Sequence, residues 1–277
     1  MVQRVSRQIS GAGGMSIQGY WAELKTTEFQ TLSQDCIAVL PLGATEQHGP
    51  HLPLSVDTDL VQETAARMLA NLDPAQSVLV LPALAITKSN EHNRFSGTLS
   101  LSPETLLAVL REIGASVARA GIERLVLFNG HGGNTAILQV AARELRISHD
   151  LIVVVCSWSG FAEADGLFDP AAYAVDLHAG DSETSAMLAS HPGLVDMSRA
   201  KTFGTAMEDW AGEFRFIGLT GEPATPGWIA DDLNPDGVCG DAVAATAEKG
   251  EAMLASAGRN FARFLAEFAH FDHRRAP

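Results

Sequence analysis

Short aliphatic runs alternate along this chain with stretches whose apolar residues recur every three or four positions. The runs lie at residues 36–42, 77–86, 124–129 and 151–156. Each is short and apolar on successive positions, as a strand buried on both faces must be. Between them the spacing changes to that of a helix. Leu60, Ala65, Met68, Leu69 and Leu72 predict a helix over 60–72, with Asp59 as candidate N-cap. Ser102-Pro103-Glu104 supplies a cap, a proline at the first helical position and an acid in the first turn, so a second helix runs from there to about Ala120, before Gly121. A third covers 134–147. The second half is less regular. Residues 181–189 read as a short helix and 241–268 as a long one, while 201–236 is rich in Gly, Pro and Trp without a clear period; such long irregular stretches are often functional. Aliphatic strands separated by helices predict an α/β fold with a mostly parallel central sheet covered by helices on both faces. No linker or repeat divides it, so one domain is expected over 16–277, after a flexible tail at 1–15.

Composition narrows the class. The formal charge is −14, from 19 basic and 33 acidic residues, which excludes a phosphate-tracking nucleic-acid binder. No run reaches the ~18 apolar residues of a membrane helix. Residues 1–14 contain Arg4 and Arg7 but no apolar segment, so they read as a frayed tail, or as residues ahead of a start at Met15, and not as a secretory signal. Cys36, Cys156 and Cys239 are far apart and two sit in apolar runs. They read as buried thiols of a reducing, cytoplasmic compartment.

Chemistry gathers where the strands end. The first run breaks into a loop with Gly and Pro that carries Glu46, His48 and Asp57. This is the edge of an α/β sheet where ligands sit, and these are the oxygen and imidazole donors that Zn, Mn or Fe(II) prefer. The competing reading is a polar loop whose carboxylates cap the next helix, which accounts for Asp57 or Asp59 but not for Glu46 and His48 too. After the third run, Asn129-Gly130-His131-Gly132-Gly133-Asn134 presents His131 in a glycine-rich turn, incidental or functional. His178 precedes Glu183 at the start of the short helix, where Glu183 is either a ligand or a cap at the positive helix end. Glu91 and His92 lie in a polar loop after the second run. Together these residues reach one rim, and two His, a bridging Asp and two Glu suffice for two metal ions.

The segment Gly43-Ala44-Thr45-Glu46-Gln47-His48-Gly49-Pro50-His51-Leu52-Pro53, with Asp57, resembles the creatininase (creatinine amidohydrolase) family. So do the turn around His131, His178-Ala179-Gly180 with Glu183-Thr184-Ser185, and Ala245-Thr246-Ala247-Glu248-Lys249-Gly250. The resemblance runs from about Gln18 to the C-terminal helix. It implies one divalent metal on Glu46, Asp57 and His131, and a second on His48, the bridging Asp57 and another carboxylate, with His178 as acid/base. Creatininase proper carries an acidic ligand where this chain has Gly133, a glycine form found in the wider family, and Glu183 is the expected replacement. Creatininase proper also closes its pocket with two tryptophans. Here Trp158 is shifted and Ala174 stands in the second place, so creatinine is not the expected substrate. The wider family includes a formamide-cleaving deformylase and a peptidase that trims the mycofactocin precursor.

The expectation is therefore an amidohydrolase with two divalent metal ions (Zn, Mn or Fe(II)) that cleaves a C–N amide bond of a small cyclic amide or formamide through a metal-bridged hydroxide. His178 and Glu183 are the expected catalytic groups, and Glu91, His92 and Trp158 the expected substrate contacts. Its partners are a small-molecule amide and copies of itself, related proteins being hexamers; nucleic acid and membrane are not expected. The alternatives are a peptidase of the mycofactocin type, a sugar- or nucleotide-binding α/β protein without catalysis, and a metal-dependent isomerase or lyase.

Overall fold

A six-stranded sheet runs through the computed structural model, which describes residues 6–9 and 15–274. In chain order the strands are β1 (Ser6–Ile9), β2 (Met15–Tyr20), β3 (Ile37–Leu42), β4 (Val78–Val80), β5 (Arg124–Asn129) and β6 (Ile152–Ser157). In space they lie β1-β2-β4-β3-β5-β6. β2 to β6 are mutually parallel and β1 alone is antiparallel. The helices are α1 (Val56–Asn71), α2 (Pro103–Arg119), α3 (Thr135–His149), α4 (Pro170–Ala174), α5 (Asp181–Ser190), α6 (Ala206–Glu213), α7 (Ala230–Leu233) and α8 (Ala247–His270).

Successive strand residues point to opposite faces, and here both faces are covered. Ile37, Val39, Val126 and Phe128 pack under α1, α5 and α8, while Ala38, Leu40, Leu125 and Leu127 pack under α2 and α3. That double burial is why the strands read as unbroken aliphatic runs.

Several boundaries differ from the expected ones. The run at 77–86 supplies a strand of only three residues, because Pro82 has no N–H to continue the ladder; the chain swings out and returns as a single parallel bridge from Leu84 to Leu42. α1 starts at Val56, with Ser55 at the N-cap position; Asp59 lies inside the first turn and its carboxylate accepts a hydrogen bond from Ser55 Oγ at 2.6 Å. The last helix starts at Ala247, where the Thr246 side chain accepts from Lys249 N at 3.3 Å. The residues before it form β8 (Gly240–Asp241), which pairs with β7 (Thr202–Phe203). Residues 201–236 hold α6 and α7, and their Met207, Trp210, Leu219, Trp228 and Leu233 form a small core with Cys239. Of the expected tail, Ser6–Ile9 pairs with β2 instead of running free, and residues 1–5 and 10–14 lie outside the described residues. The three cysteines are unpaired. No helix among the described residues is long and apolar enough to cross a membrane.

Candidate metal centre

The parallel strands end on one edge, and the predicted donors assemble there. Glu46 and His48 sit in the loop that follows β3, Asp57 is the second residue of α1, and His131 follows β5. Gly130 lets the β5 turn close on α1, because a Cβ at that position would overlap the carbonyl oxygen of Asp57. His178 and Glu183 come from the turn before α5 and its first turn. In that turn Ala179 adopts a left-handed φ of 58°, and its N–H donates to Glu183 Oε2 at 2.7 Å.

The donors fall into three sets, in each of which the ligating atoms lie within 4.8 Å of one another: Glu46, Asp57 and His131; His48, Asp57 and Glu183; and Glu46, His48 and His178. His131 Nδ1 is 3.2 Å from Glu46 Oε1 and 3.5 Å from Asp57 Oδ2. His48 Nε2 is 3.5 Å from Asp57 Oδ1 and 3.8 Å from Glu183 Oε2. His178 Nδ1 is 3.8 Å from Glu46 Oε1. Asp57 is common to the first two sets, one oxygen facing each histidine.

Hydrogen bonds to carbonyl oxygens decide which ring nitrogen faces inward, since a carbonyl can only accept. His48 donates from Nδ1 to Glu46 O at 3.1 Å, His131 from Nε2 to Lys88 O at 3.0 Å, and His178 from Nε2 to Gln47 O at 2.8 Å. The opposite nitrogen of each ring is left toward the cluster, as metal-binding histidines require. Glu46 Oε1, His48 Nε2 and Asp57 Oδ2 are buried without a hydrogen-bond partner. Buried polar atoms are costly when unpartnered, and these three, spread over the two donor sets that share Asp57, fit cation ligands.

Charge balance agrees. Burial alone would raise Glu46, but His131, then His92 and His178, pull it well below the usual carboxylate range. Burial likewise opposes charge on His48, yet Asp57, Glu183 and Glu46 push it up to about 9. His131 is driven well above its ordinary value against burial, chiefly by Glu46. Burial and then the negative Glu46 raise Asp57 to about 7. The cluster thus gathers positive charge wherever it can. His178 is held below its ordinary value by burial and by His48.

Beside the cluster is a cavity of about 210 Å³ that His131 and Glu183 border, with Trp158, Tyr173, Asp176 and Ser182 among its other walls. Glu91 and His92 do not line this cavity. They are buried behind the donors: Glu91 Oε1 is 3.4 Å from His131 Nε2, and His92 Nε2 is 3.4 Å from Glu46 Oε1. Gln47 was not singled out by sequence, yet its amide donates to His92 Nδ1 at 2.9 Å and to Gly237 O at 2.8 Å. Its place inside the Glu46–His48 motif was the available signal. Asp176, raised to about 7 by burial, accepts from Ser182 N at 2.8 Å and pins the turn that carries His178.

Residues 22–265 match the family model described as creatininase, creatinine amidohydrolase. The chain is 36% identical over 224 residues to a mycofactocin precursor peptide peptidase from Mycobacterium ulcerans (strain Agy99), covering 78% of this chain and 79% of the relative. It is 37% identical over 191 residues to a creatinine amidohydrolase from Pseudomonas putida, covering 63% of this chain and 72% of that protein. A crystal structure of creatinine amidohydrolase superposes with a TM-score of 0.67 at 30% identity, over 92% of this chain and 99% of the other. Creatininases in a Zn–Zn form and in a manganese form superpose similarly, with TM-scores of 0.69 and 0.66.

Proposed function

The chain belongs to the creatininase family of amidohydrolases, enzymes of C–N bond hydrolysis, and from that premise we propose that it cleaves an amide bond of a small molecule at a centre of two divalent metal ions. The observation that carries the two-ion reading is the position of Asp57, whose two oxygens face the histidines of two separate donor sets. Glu46, Asp57 and His131 would hold one ion, and His48, Asp57 and Glu183 the other. Zn, Mn and Fe(II) all suit such oxygen and imidazole donors. Two bound ions would lower the pKa of a water toward neutrality and polarise the amide carbonyl.

The chain's own residues do the rest. His178 keeps Nε2 on the Gln47 carbonyl and turns Nδ1 to the cluster, so Nδ1 is the atom that takes a proton and passes it to the leaving nitrogen. Its lowered pKa leaves the ring neutral and free to accept, and makes the proton it gains easier to give to the leaving nitrogen. Trp158, 4% exposed, closes one wall of the cavity and keeps water from the bond being cleaved. Three unpaired cysteines support a cytoplasmic setting, and the family resemblance supports a homo-oligomer.

Metal analysis of the purified protein, with a panel of cyclic amides, formamides and short peptides assayed under Zn, Mn and Fe(II), tests the reading. About two ions per chain and turnover of a small amide are expected. The similarity to the Mycobacterium ulcerans peptidase makes short peptides the competing substrate class. A protein that takes up no metal would overturn the proposal.

A further inference from the structure

Glu91 is buried behind His131, outside the cavity and outside all three donor sets. Its Oε1 lies 3.4 Å from His131 Nε2, and its Oε2 lies 2.5 Å from Lys88 Nζ. The carbonyl of the same Lys88 accepts the His131 Nε2–H at 3.0 Å. A carboxylate and a carbonyl therefore bracket one ring nitrogen, and the ammonium of Lys88 anchors the carboxylate.

The bracket exists because residue 133 is glycine. A Cβ there would overlap both Glu91 Oε1 and His131 Nε2. Backbone conformation is not the reason for this glycine, since Gly133 is absent from the positive-φ positions. Both neighbours are buried, Glu91 8% and His131 4% exposed, so a side chain at 133 would have to displace one of them. The glycine is there for space.

We propose that Glu91 is the positioning residue for His131, and that Gly133 is the position that admits it: the Glu91 carboxylate and the Lys88 carbonyl hold the Nε2–H so that Nδ1 is presented to Glu46 and Asp57. This rests on the metal reading above. A carboxylate behind a metal-binding imidazole fixes the ring's orientation and raises its basicity, and losing it costs 10- to 100-fold in metal affinity. The arrangement also accounts for the source of the second carboxylate. A side chain at 133 cannot reach forward as a ligand while Glu91 fills the space beside it, so the donor facing His48 comes from Glu183.

Zinc affinity measured by chelator competition on the full chain tests this in wild type, Glu91→Gln, Gly133→Ala, Glu91→Ala and the Glu91→Ala/Gly133→Ala double variant. Glu91→Gln keeps the shape and removes the charge, and should weaken one of the zinc-binding steps ~10- to 100-fold while leaving the thermal midpoint of the metal-free protein near that of wild type. Gly133→Ala should weaken it similarly by displacing the carboxylate. In the Glu91→Ala background the Gly133→Ala change should cost clearly less, because one of the two groups it collides with is gone and only the overlap with His131 Nε2 remains. Wild-type affinity in Glu91→Gln, or equal costs of Gly133→Ala in both backgrounds, overturns the assignment; the second comparison stands even where Glu91→Gln does not fold. Absence of zinc binding in the wild type would instead overturn the metal reading, so the two failures are distinct.

Discussion

His131 Nδ1 stands 3.2 Å from Glu46 Oε1 while its Nε2 is committed to the Lys88 carbonyl. The ring cannot turn away from the acidic centre, so along this line either a proton on Nδ1 or a cation between the two atoms balances Glu46, with His92 and His178 facing the same oxygen from farther off. Protons and metal compete for the same atoms.

That competition has a sign. His48 rises from 6.5 to about 9 in the folded protein, so its stabilising contribution is complete below 6.5 and is lost as pH climbs through about 9. Asp57, raised from 3.8 to about 7, acts in the same direction at lower pH. His51 and His92, lowered by burial to about 4 and about 3, act in the opposite direction, but only below 6.5. In the presence of a chelator the thermal midpoint should therefore fall between pH 7 and pH 9. Metal requires the ligands deprotonated, so zinc affinity should rise over the same interval. Melting curves with chelator and zinc titrations at pH 7, 8 and 9 check this, and slopes of the same sign would count against shared occupancy.

Metal stoichiometry should separate Asp57 from His48. Asp57 faces both histidines and His48 only one set of the first two. Asp57→Ala is expected to lose both ions and His48→Ala mainly one, by elemental analysis after gel filtration. Full metal content in Asp57→Ala would remove the bridging role.

Creatinine should be a poor substrate. Trp158 is on the cavity wall, but Ala174 is exposed on α4, and Tyr173 takes the adjoining wall. A pocket mismatch of ~3 kcal/mol corresponds to turnover at least ~100-fold below that of the true substrate. Comparison of kcat/KM across the amide panel decides it, and efficient creatinine hydrolysis would show that other residues complete the pocket.

Much of this centre was legible because its donors follow directly on apolar runs. Glu46 and His48 come just after β3 and His131 just after β5, so parallel strands alone bring them to one edge. What escaped notice has a common physical origin. Lys88 and Gln47 act on His131 and His178 through backbone carbonyls, which carry no side-chain signal. Glu91 and His92 read as substrate contacts in a polar loop, since nothing local shows that the Gly133 turn and Gln47 will cover them. The start of α8 was misplaced because Val243 falls in helical register with the residues after it, yet it is 59% exposed in the turn ahead of the Thr246 cap. β1 pairs through backbone, without the alternation that marks a strand in sequence.

The sharpest test concerns His178, whose position permits two roles. Its Nδ1 can join Glu46 and His48 as a third donor set, or carry a proton between nucleophile and leaving group. The nitrogen is 3.8 Å from Glu46 Oε1, farther than His131 Nδ1 at 3.2 Å, and its ring lies tilted against those of His48 and His92, with centroids 4.2 and 4.6 Å away. A proton carrier fits that looser placement. His178→Ala should then leave metal content unchanged and lower kcat by ~10²–10⁴. Substrate analogues should bind nearly as before, because the loss lies in the transition state. Amides with better leaving groups should recover most of the rate, needing the proton less. Glu183→Ala should do the reverse and empty the site that His48 shares, because its Oε2 is the carboxylate oxygen 3.8 Å from His48 Nε2 and Gly133 offers none. If His178→Ala instead empties a site, the third donor set is the working one. If Glu183→Ala retains two ions and only lowers the thermal midpoint, its bond to Ala179 N is its whole purpose, and the carboxylate for the second ion lies elsewhere.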